Sequence, residues 1–234
     1  MTPPAGSLSF EFQGEALCAL PSGALFWPGS GMLCVSDLHL GKSNRMARRG
    51  GALLPPYETQ STLARLDADL TATAAKTVIC LGDSFDDQSA EAELPEPERL
   101  WLLRLMAGRD WIWIAGNHDP APLTLGGSHV MARTLGRITF RHIADPKTPQ
   151  ETGPEGSPMG EVSGHFHPKA RLSGRARPCF LLDAQRLILP AFGTYTGGLW
   201  ADDPALRPLF GANARAILTG ARCLAIPMPK GPSG

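Results

Sequence analysis

The sequence predicts an α/β fold: two β-sheets flanked by helices, a βαβ half followed by a strand-rich half. Three observations predict it. Residues 32–81 read as strand, loop, helix and strand, a unit that makes a parallel pair. The second half of the chain is rich in short apolar runs and poor in helical spacing. Clusters of Asp, Asn and His stand at the ends of several of these runs, where α/β sheets keep their ligands.

The elements follow in order. Residues 8–12, 16–20, 24–27 and 32–35 alternate or run apolar between Gly and Pro breaks, so a strand meander opens the chain. Residues 41–56 are loop-rich, and Pro55-Pro56 stops any helix before Tyr57. Over 57–75, Leu63, Leu66 and Leu70 recur at helical spacing. Residues 78–81 read as a strand, 86–98 as an acidic solvated loop, 98–107 as a second helix ending at Gly108, and 111–115 as a strand. Trp111 and Trp113 share one face of that strand and read as packing. In the second half, 137–142, 180–182, 186–189, 216–218 and 222–226 read as strands, and Val162-Ser163 leads into the His pair. Residues 144–160 are dense in Pro and Gly and read as a loop or mobile insert. No composition shift marks a boundary. Residues 1–226 therefore read as one domain and 227–234 as a disordered tail.

Composition narrows the function. Of 234 residues 43% are hydrophobic, enough for a sizeable core. The formal net charge is zero, so no global field draws the chain to nucleic acid or to anionic membrane, although a local basic rim is compatible with that total. The five scattered cysteines form no CxxC pair and no disulfide framework; Cys34 and Cys80 read as buried, reduced hydrophobes. No apolar run spans a bilayer and the N-terminus carries no signal core, so a soluble cytoplasmic protein without membrane partners is expected.

Four strand-end clusters carry the chemistry: Asp37-Leu38-His39, Gly82-Asp83-Ser84-Phe85-Asp86, Gly116-Asn117-His118-Asp119 and Gly164-His165-Phe166-His167. Asp37 and His39, two residues apart in an extended segment, point to one face and can bind one ion. The two carboxylate oxygens of Asp83 can bridge two ions. Asn117 offers an amide oxygen, His142 and His165 offer imidazole nitrogens, and His167 returns to the first ion. Such mixed ligation suits Mn, Fe, Zn or Co. Two such ions about 3.5–4 Å apart polarise a phosphoryl group and make hydroxide at neutral pH. No Ser or Cys nucleophile motif and no Gly-rich phosphate loop competes, so metal-activated water is the simplest nucleophile.

These residues resemble the calcineurin-like metallophosphoesterase superfamily, which carries DxH, GDxx(D/H), GNH(D/E), a separate His and GHxH in this order. Here they stand as Asp37-x-His39, Gly82-Asp83-x-x-Asp86, Gly116-Asn117-His118-Asp119, His142 and Gly164-His165-x-His167. The resemblance implies a four-layer α/β/β/α sandwich with two divalent ions. It gives Asp37, His39, Asp83 and His167 to one ion, and Asp83, Asn117, His142 and His165 to the other. It makes His118 the non-ligand His beside the leaving group, oriented by Asp86. An Arg often follows the second acidic residue in the family, whereas Asp87 stands here.

A closer likeness covers most of the chain. Asp37-Leu38-His39-Leu40-Gly41-Lys42, Arg49-Gly50, 54–59, Leu81-Gly82-Asp83-Ser84-Phe85, Arg141-His142, Gly164-His165-Phe166-His167-Pro168 and 189–198 are similar to the bacterial ligase-associated DNA damage response phosphoesterases. Members often carry His then Asp after Ser-Phe; this chain has Asp86-Asp87. The resemblance implies a Mn-dependent phosphodiesterase or endonuclease, with DNA as substrate and an ATP-dependent DNA ligase and helicase as functional partners. Lys42, Arg48, Arg49, Lys169 and Arg171 flank two site motifs and could line a groove for single-stranded or flexible DNA. Two other readings stand beside it: a pyrophosphohydrolase of a lipid or nucleotide diphosphate precursor, and a catalytically silent scaffold on the same fold.

Overall fold

The computed structural model describes residues 3–48, 55, 57–87, 89–120, 124–146 and 159–229, without the side chains of Asn44, Ala47 and Arg48. Four antiparallel strands open the chain: β1 (Leu8–Phe12), β2 (Glu15–Ala19), β3 (Leu25–Trp27) and β4 (Met32–Val35). A short helix α1 (Lys42–Arg48) and a long one, α2 (Glu58–Thr73), lead to β5 (Thr77–Cys80); α3 (Glu96–Met106) leads to β6 (Asp110–Ile114). A further strand, β7 (Ser128–Val130), completes a seven-stranded sheet in sequence order, with β4 through β7 parallel.

The second sheet is built from β8 (Ala132–Leu135), β9 (Ile138–Arg141), β10 (Gly160–Ser163), β11 (Lys169–Leu172), β12 (Arg175–Leu182), β13 (Arg186–Ile188), β14 (Arg215–Leu218) and β15 (Leu224–Pro227). Its order is β15-β14-β12-β13-β10-β9-β8, and β11 pairs with β12. Here β9, β10 and β13 are parallel neighbours. The two-sheet sandwich flanked by helices is borne out, and so is the parallel pair read from 32–81.

Alternation along the strands divides the core. Leu33, Val35, Val78, Cys80, Trp111 and Trp113 turn toward the helices and meet Leu63, Leu66 and Leu70 of α2 and Leu102 and Leu105 of α3. Cys34, Ile79 and Ile112, which face one another in register, turn the other way onto Ile138, Phe140, Val162 and Phe180 of the second sheet. Both faces of β4 to β6 are covered, which is why these strands read as unbroken apolar runs. Each fully buried Leu of α2 contributes about 1.5–3 kcal/mol. A third cluster covers the outer face of the second sheet. There Leu206, Leu209 and Phe210, around a 3₁₀ turn at Arg207–Leu209, pack on Leu181, Ile188 and Leu218. Among the described residues that outer cover is this turn and irregular chain rather than an α-helix.

Several features differ from the sequence reading, among them β11 and the Arg175–Cys179 part of β12, where no strand is read. Residues 42–48 form α1, and 128–135 contribute β7 and β8. Pro227 ends β15, and Met228 is buried with its N–H on the Ala214 carbonyl (2.9 Å), so the fold continues past the point where a tail was drawn. Residues 230–234, and 147–158 of the expected mobile insert, lie outside the described residues. No helix among the described residues is long and apolar enough to cross a membrane.

What positions the site is the shared direction of five strands. β4, β5 and β6 are parallel and in register, so the loops after Val35, Cys80 and Ile114 leave one edge of the first sheet. β9 and β10 are parallel, so His142 and Gly164-His165 leave one edge of the second. The two edges meet: the N–H of Phe192 bonds the Ser36 carbonyl (2.7 Å) and that of His165 the Asp37 carboxylate (3.0 Å).

Candidate metal centre

The structure brings the sequence-predicted donors into two adjoining groups. Asp37, His39 and His167 have donor atoms within 4.8 Å of one another, and so do Asp83, His142 and His165. Asp37 Oδ1 lies 3.2 Å from His167 Nε2 and 4.0 Å from His142 Nδ1, which joins the groups. Asp83 Oδ2 lies 3.4 Å from His142 Nε2, and Asn117 Oδ1 lies 2.9 Å from the same nitrogen. Asp37 is fully buried, His167 partly buried, and Asn117 exposed at the mouth.

The convergence of Asp37 and His39 has a different cause from the extended alternation assumed for them. Both residues have positive φ, +53° and +46°, as do Asp83 (+46°), His165 (+68°) and His167 (+48°). Left-handed backbone at a non-glycine residue costs of order 1–3 kcal/mol and persists only where its surroundings hold it. Here main-chain bonds hold it: Asp37 N–H to Gly82 O (3.2 Å), His39 N–H to Asp83 O (3.0 Å) and Gly193 N–H to Asp37 O (3.0 Å). Gly82 is needed for a second reason. At φ +80°, a Cβ there would lie 2.6 Å from the His142 ring.

Three observations fit this donor set to cations. First, His39 Nε2 is buried and makes no hydrogen bond, and Asp37 Oδ1 and His167 Nε2, 3.2 Å apart, are buried with little but each other. Poorly satisfied buried polar atoms are costly, and three that converge call for a ligand. Secondly, His142 Nδ1 lies 2.7 Å from the Leu81 carbonyl and donates to it. In the neutral ring this leaves Nε2 as a lone pair facing the Asn117 and Asp83 oxygens, a place for a cation; burial disfavours a proton there, but Asp83 and Asp37 outweigh it and raise the imidazole. Thirdly, the acids stay charged. Burial works to raise the Asp37 carboxyl, but the His167 hydrogen bond and the charges of His167 and His142 outweigh it and hold the group down. Asp83 is likewise lowered: His142 and the His118 N–H (2.8 Å to Oδ1) overcome its burial.

Residues 32–169, more than half of the chain, match the family profile of calcineurin-like phosphoesterases. The chain belongs to the calcineurin-like phosphoesterase family. Among solved structures, this phosphoesterase is similar to the Pseudomonas putida nuclease MPE, with 30% identity, a TM-score of 0.72, and 94% of this chain and 100% of that chain covered. A weaker likeness is to Yfce, a phosphoesterase from E. coli, with 12% identity, a TM-score of 0.40, and 85% of this chain and 99% of that chain covered. No curated protein sequence matches the chain.

The second layer of the phosphoesterase site departs from expectation at Asp86. Its carboxylate lies on His39, with Oδ1 2.9 Å from Nδ1, and not on His118. The other oxygen takes the Arg45 Nε–H. His118 meets the backbone carbonyl of Asp86 instead, through Nδ1 at 2.7 Å. Asp86 thus orients two imidazoles by two different groups. Burial raises its carboxyl, and His39, Arg45 and Lys42 together bring it below the usual range.

Asp119 closes the Gly116-Asn117-His118-Asp119 motif, which by itself assigns it no task. Its buried carboxylate accepts the N–H groups of Asp83 (2.9 Å), Ser84 (2.7 Å), Phe85 (3.1 Å) and Gly116 (3.2 Å), so it shapes the turn that presents Asp83. Burial pushes its own carboxyl up to about 6 against those hydrogen bonds. A carboxylate two residues past the candidate donor Asn117 was the available signal.

Of the basic residues, Lys42 opens α1 and its charge reaches Asp86. Lys169 and Arg171 lie on β11, just beyond His167. Arg49 and the side chain of Arg48 lie outside the described residues.

Proposed function

We infer that this phosphoesterase hydrolyses phosphodiester bonds of nucleic acid with two divalent ions, Mn first among them. The ions would be held by Asp37, His39, Asp83, Asn117, His142, His165 and His167. The observation that carries this reading is the pair of adjoining carboxylate–imidazole groups, with poorly satisfied buried donor atoms, in a chain similar over nearly its whole length to a nuclease. When bound, such ions supply Lewis acidity and a hydroxide nucleophile at neutral pH.

The chain's own residues do the rest. Asp119 and Asp86 hold Asp83 and His39 in place. His118, with Nδ1–H fixed on the Asp86 carbonyl, carries a proton on Nε2 and gives it to the leaving oxygen as the P–O bond breaks. Lys42, Lys169 and Arg171 attract the flanking phosphates. Single-stranded or flexible DNA is the substrate this reading favours, in a repair setting beside an ATP-dependent DNA ligase.

The experiment is cleavage by Mn-reconstituted protein of single-stranded DNA, duplex DNA, a small diester and a phosphomonoester. Cleavage of DNA and the diester is expected. Activity on the monoester alone would overturn the nuclease reading.

A further inference from the structure

Along β11, Ala170 and Leu172 turn into the outer core, so Lys169 and Arg171 share the opposite face. Residues 199–201 run beside this strand: the Lys169 N–H bonds the Leu199 carbonyl (2.9 Å) and the Ala201 N–H bonds the Lys169 carbonyl (2.8 Å). That pairing lays the Trp200 ring against both cations. Lys169 Nζ is 4.7 Å from the ring centroid and Arg171 Cζ is 3.9 Å from it. Neither side chain has a carboxylate within ion-pairing distance among the described residues, although Asp202 lines the same cleft.

Two cavities share Lys169 in their lining. One, of about 190 Å³, is lined by His167, Lys169, Arg177 and Thr196; the other, of about 150 Å³, by Lys169, Arg171, Trp200 and Asp202. Cationic side chains therefore line both cavities, between His167 of the candidate metal centre and Trp200. The ring's face is taken up by the cations, so it is not a platform for a base. Its effect is to hold two long, flexible side chains in place before anything binds, while the N–H fork of Arg171 bonds no side chain or carbonyl among the described residues.

We propose that Lys169, Arg171 and Trp200 form a subsite for backbone phosphates of a nucleic-acid strand flanking the scissile bond, with Trp200 ordering the two cations. The subsite rests on the nuclease reading above and adds to it the side of the centre along which the strand leaves. It accounts for how a chain of zero net charge gathers a polyanion: locally, with cations set in advance rather than through a global field.

The test is fluorescence anisotropy of a labelled, cleavage-resistant phosphorothioate oligothymidylate with the protein as purified, over a range of salt. The double variant Lys169→Ala/Arg171→Ala should bind more weakly by about tenfold or more. Its slope of log affinity against log salt should fall by about 1.4, two contacts at about 0.7 each. Trp200→Ala should weaken binding by about threefold to tenfold with the slope kept, since both charges remain, and Trp200→Phe should restore most of it. The two exposed-face substitutions keep the test decisive if Trp200→Ala fails to fold. Wild-type affinity and slope in the double variant would overturn the subsite while leaving the nuclease reading standing. Weakened binding in the double variant with none in Trp200→Ala would overturn the ordering role of the ring. A wild type that hydrolyses a small diester but binds no strand would overturn the nuclease reading and the subsite together.

Discussion

The carboxylate of Asp119, after β6, accepts the backbone N–H of Asp83, after β5, at 2.9 Å. It takes three further N–H groups from the same two turns, so one buried side chain fixes the carboxylate on which the second donor group depends. Asp119→Ala should lower stability by about 1–3 kcal/mol, because buried N–H groups are left unpaired. It should also weaken metal binding by about tenfold to a hundredfold, as outer-shell losses do. Thermal denaturation and a Mn titration check the two effects separately.

Asp86 supplies a sharper discrimination. Asp86→Asn removes the negative charge beside His39 and Arg45 but keeps the backbone carbonyl that holds His118. Metal affinity should fall by about tenfold. The ratio of rates on substrates with good and poor leaving groups should stay at its wild-type value. A change in that ratio would return the orientation of His118 to the carboxylate.

His118→Ala should keep both ions and lose about 10²–10⁴ in rate on substrates with alkoxide leaving groups. Nitrophenyl esters, whose leaving group needs no proton, should lose far less. Steady-state rates on one nitrophenyl and one alkyl diester measure it, and equal losses on both would make His118 a phosphate-positioning group.

Far from the centre, burial pushes the Asp69 carboxyl on α2 up to about 6, against a Ser22 hydrogen bond and the charge of Arg65. A raised folded-state value means that the folded chain holds the proton more tightly than the unfolded chain, where the group titrates near ~3.9. The stabilising effect is therefore present below about pH 4 and lost as pH rises through about 6. Asp69→Asn should raise stability by ~1–2 kcal/mol at about pH 8, the full shift being discounted for partial exposure, and leave it almost unchanged at about pH 4. Chemical denaturation at both pH values reads the difference.

The legible part of the molecule follows from short-range pattern. Runs such as 111–115 and Leu63, Leu66 and Leu70 carry their burial in their spacing, and the strand-end clusters carry their chemistry in residue type. Helix α1 was hidden because Lys42-Ser43-Asn44-Arg45-Met46-Ala47-Arg48 has no apolar stripe. A distant residue holds it, with Glu58 Oε1 accepting from Ser43 N–H (3.0 Å) and Ser43 Oγ–H (2.8 Å). The left-handed backbone at Asp37 and His39 was hidden for the same reason, since its restraints come from Gly82, Asp83 and Gly193. The contact between Asp86 and His39 depends on where two loops meet, which spacing within either loop does not encode.

Seven residues, Asp37, His39, Asp83, Asn117, His142, His165 and His167, are inferred to hold two ions. Anomalous diffraction from crystals of Mn-loaded protein, collected on both sides of the metal edge, tests it most directly. Two peaks are expected, about 3.5–4 Å apart. One should be bounded by Asp37, His39 and His167, the other by Asn117, His142 and His165, with Asp83 between them. A single peak, with the Asp83 carboxylate bound to no ion, would contradict the account.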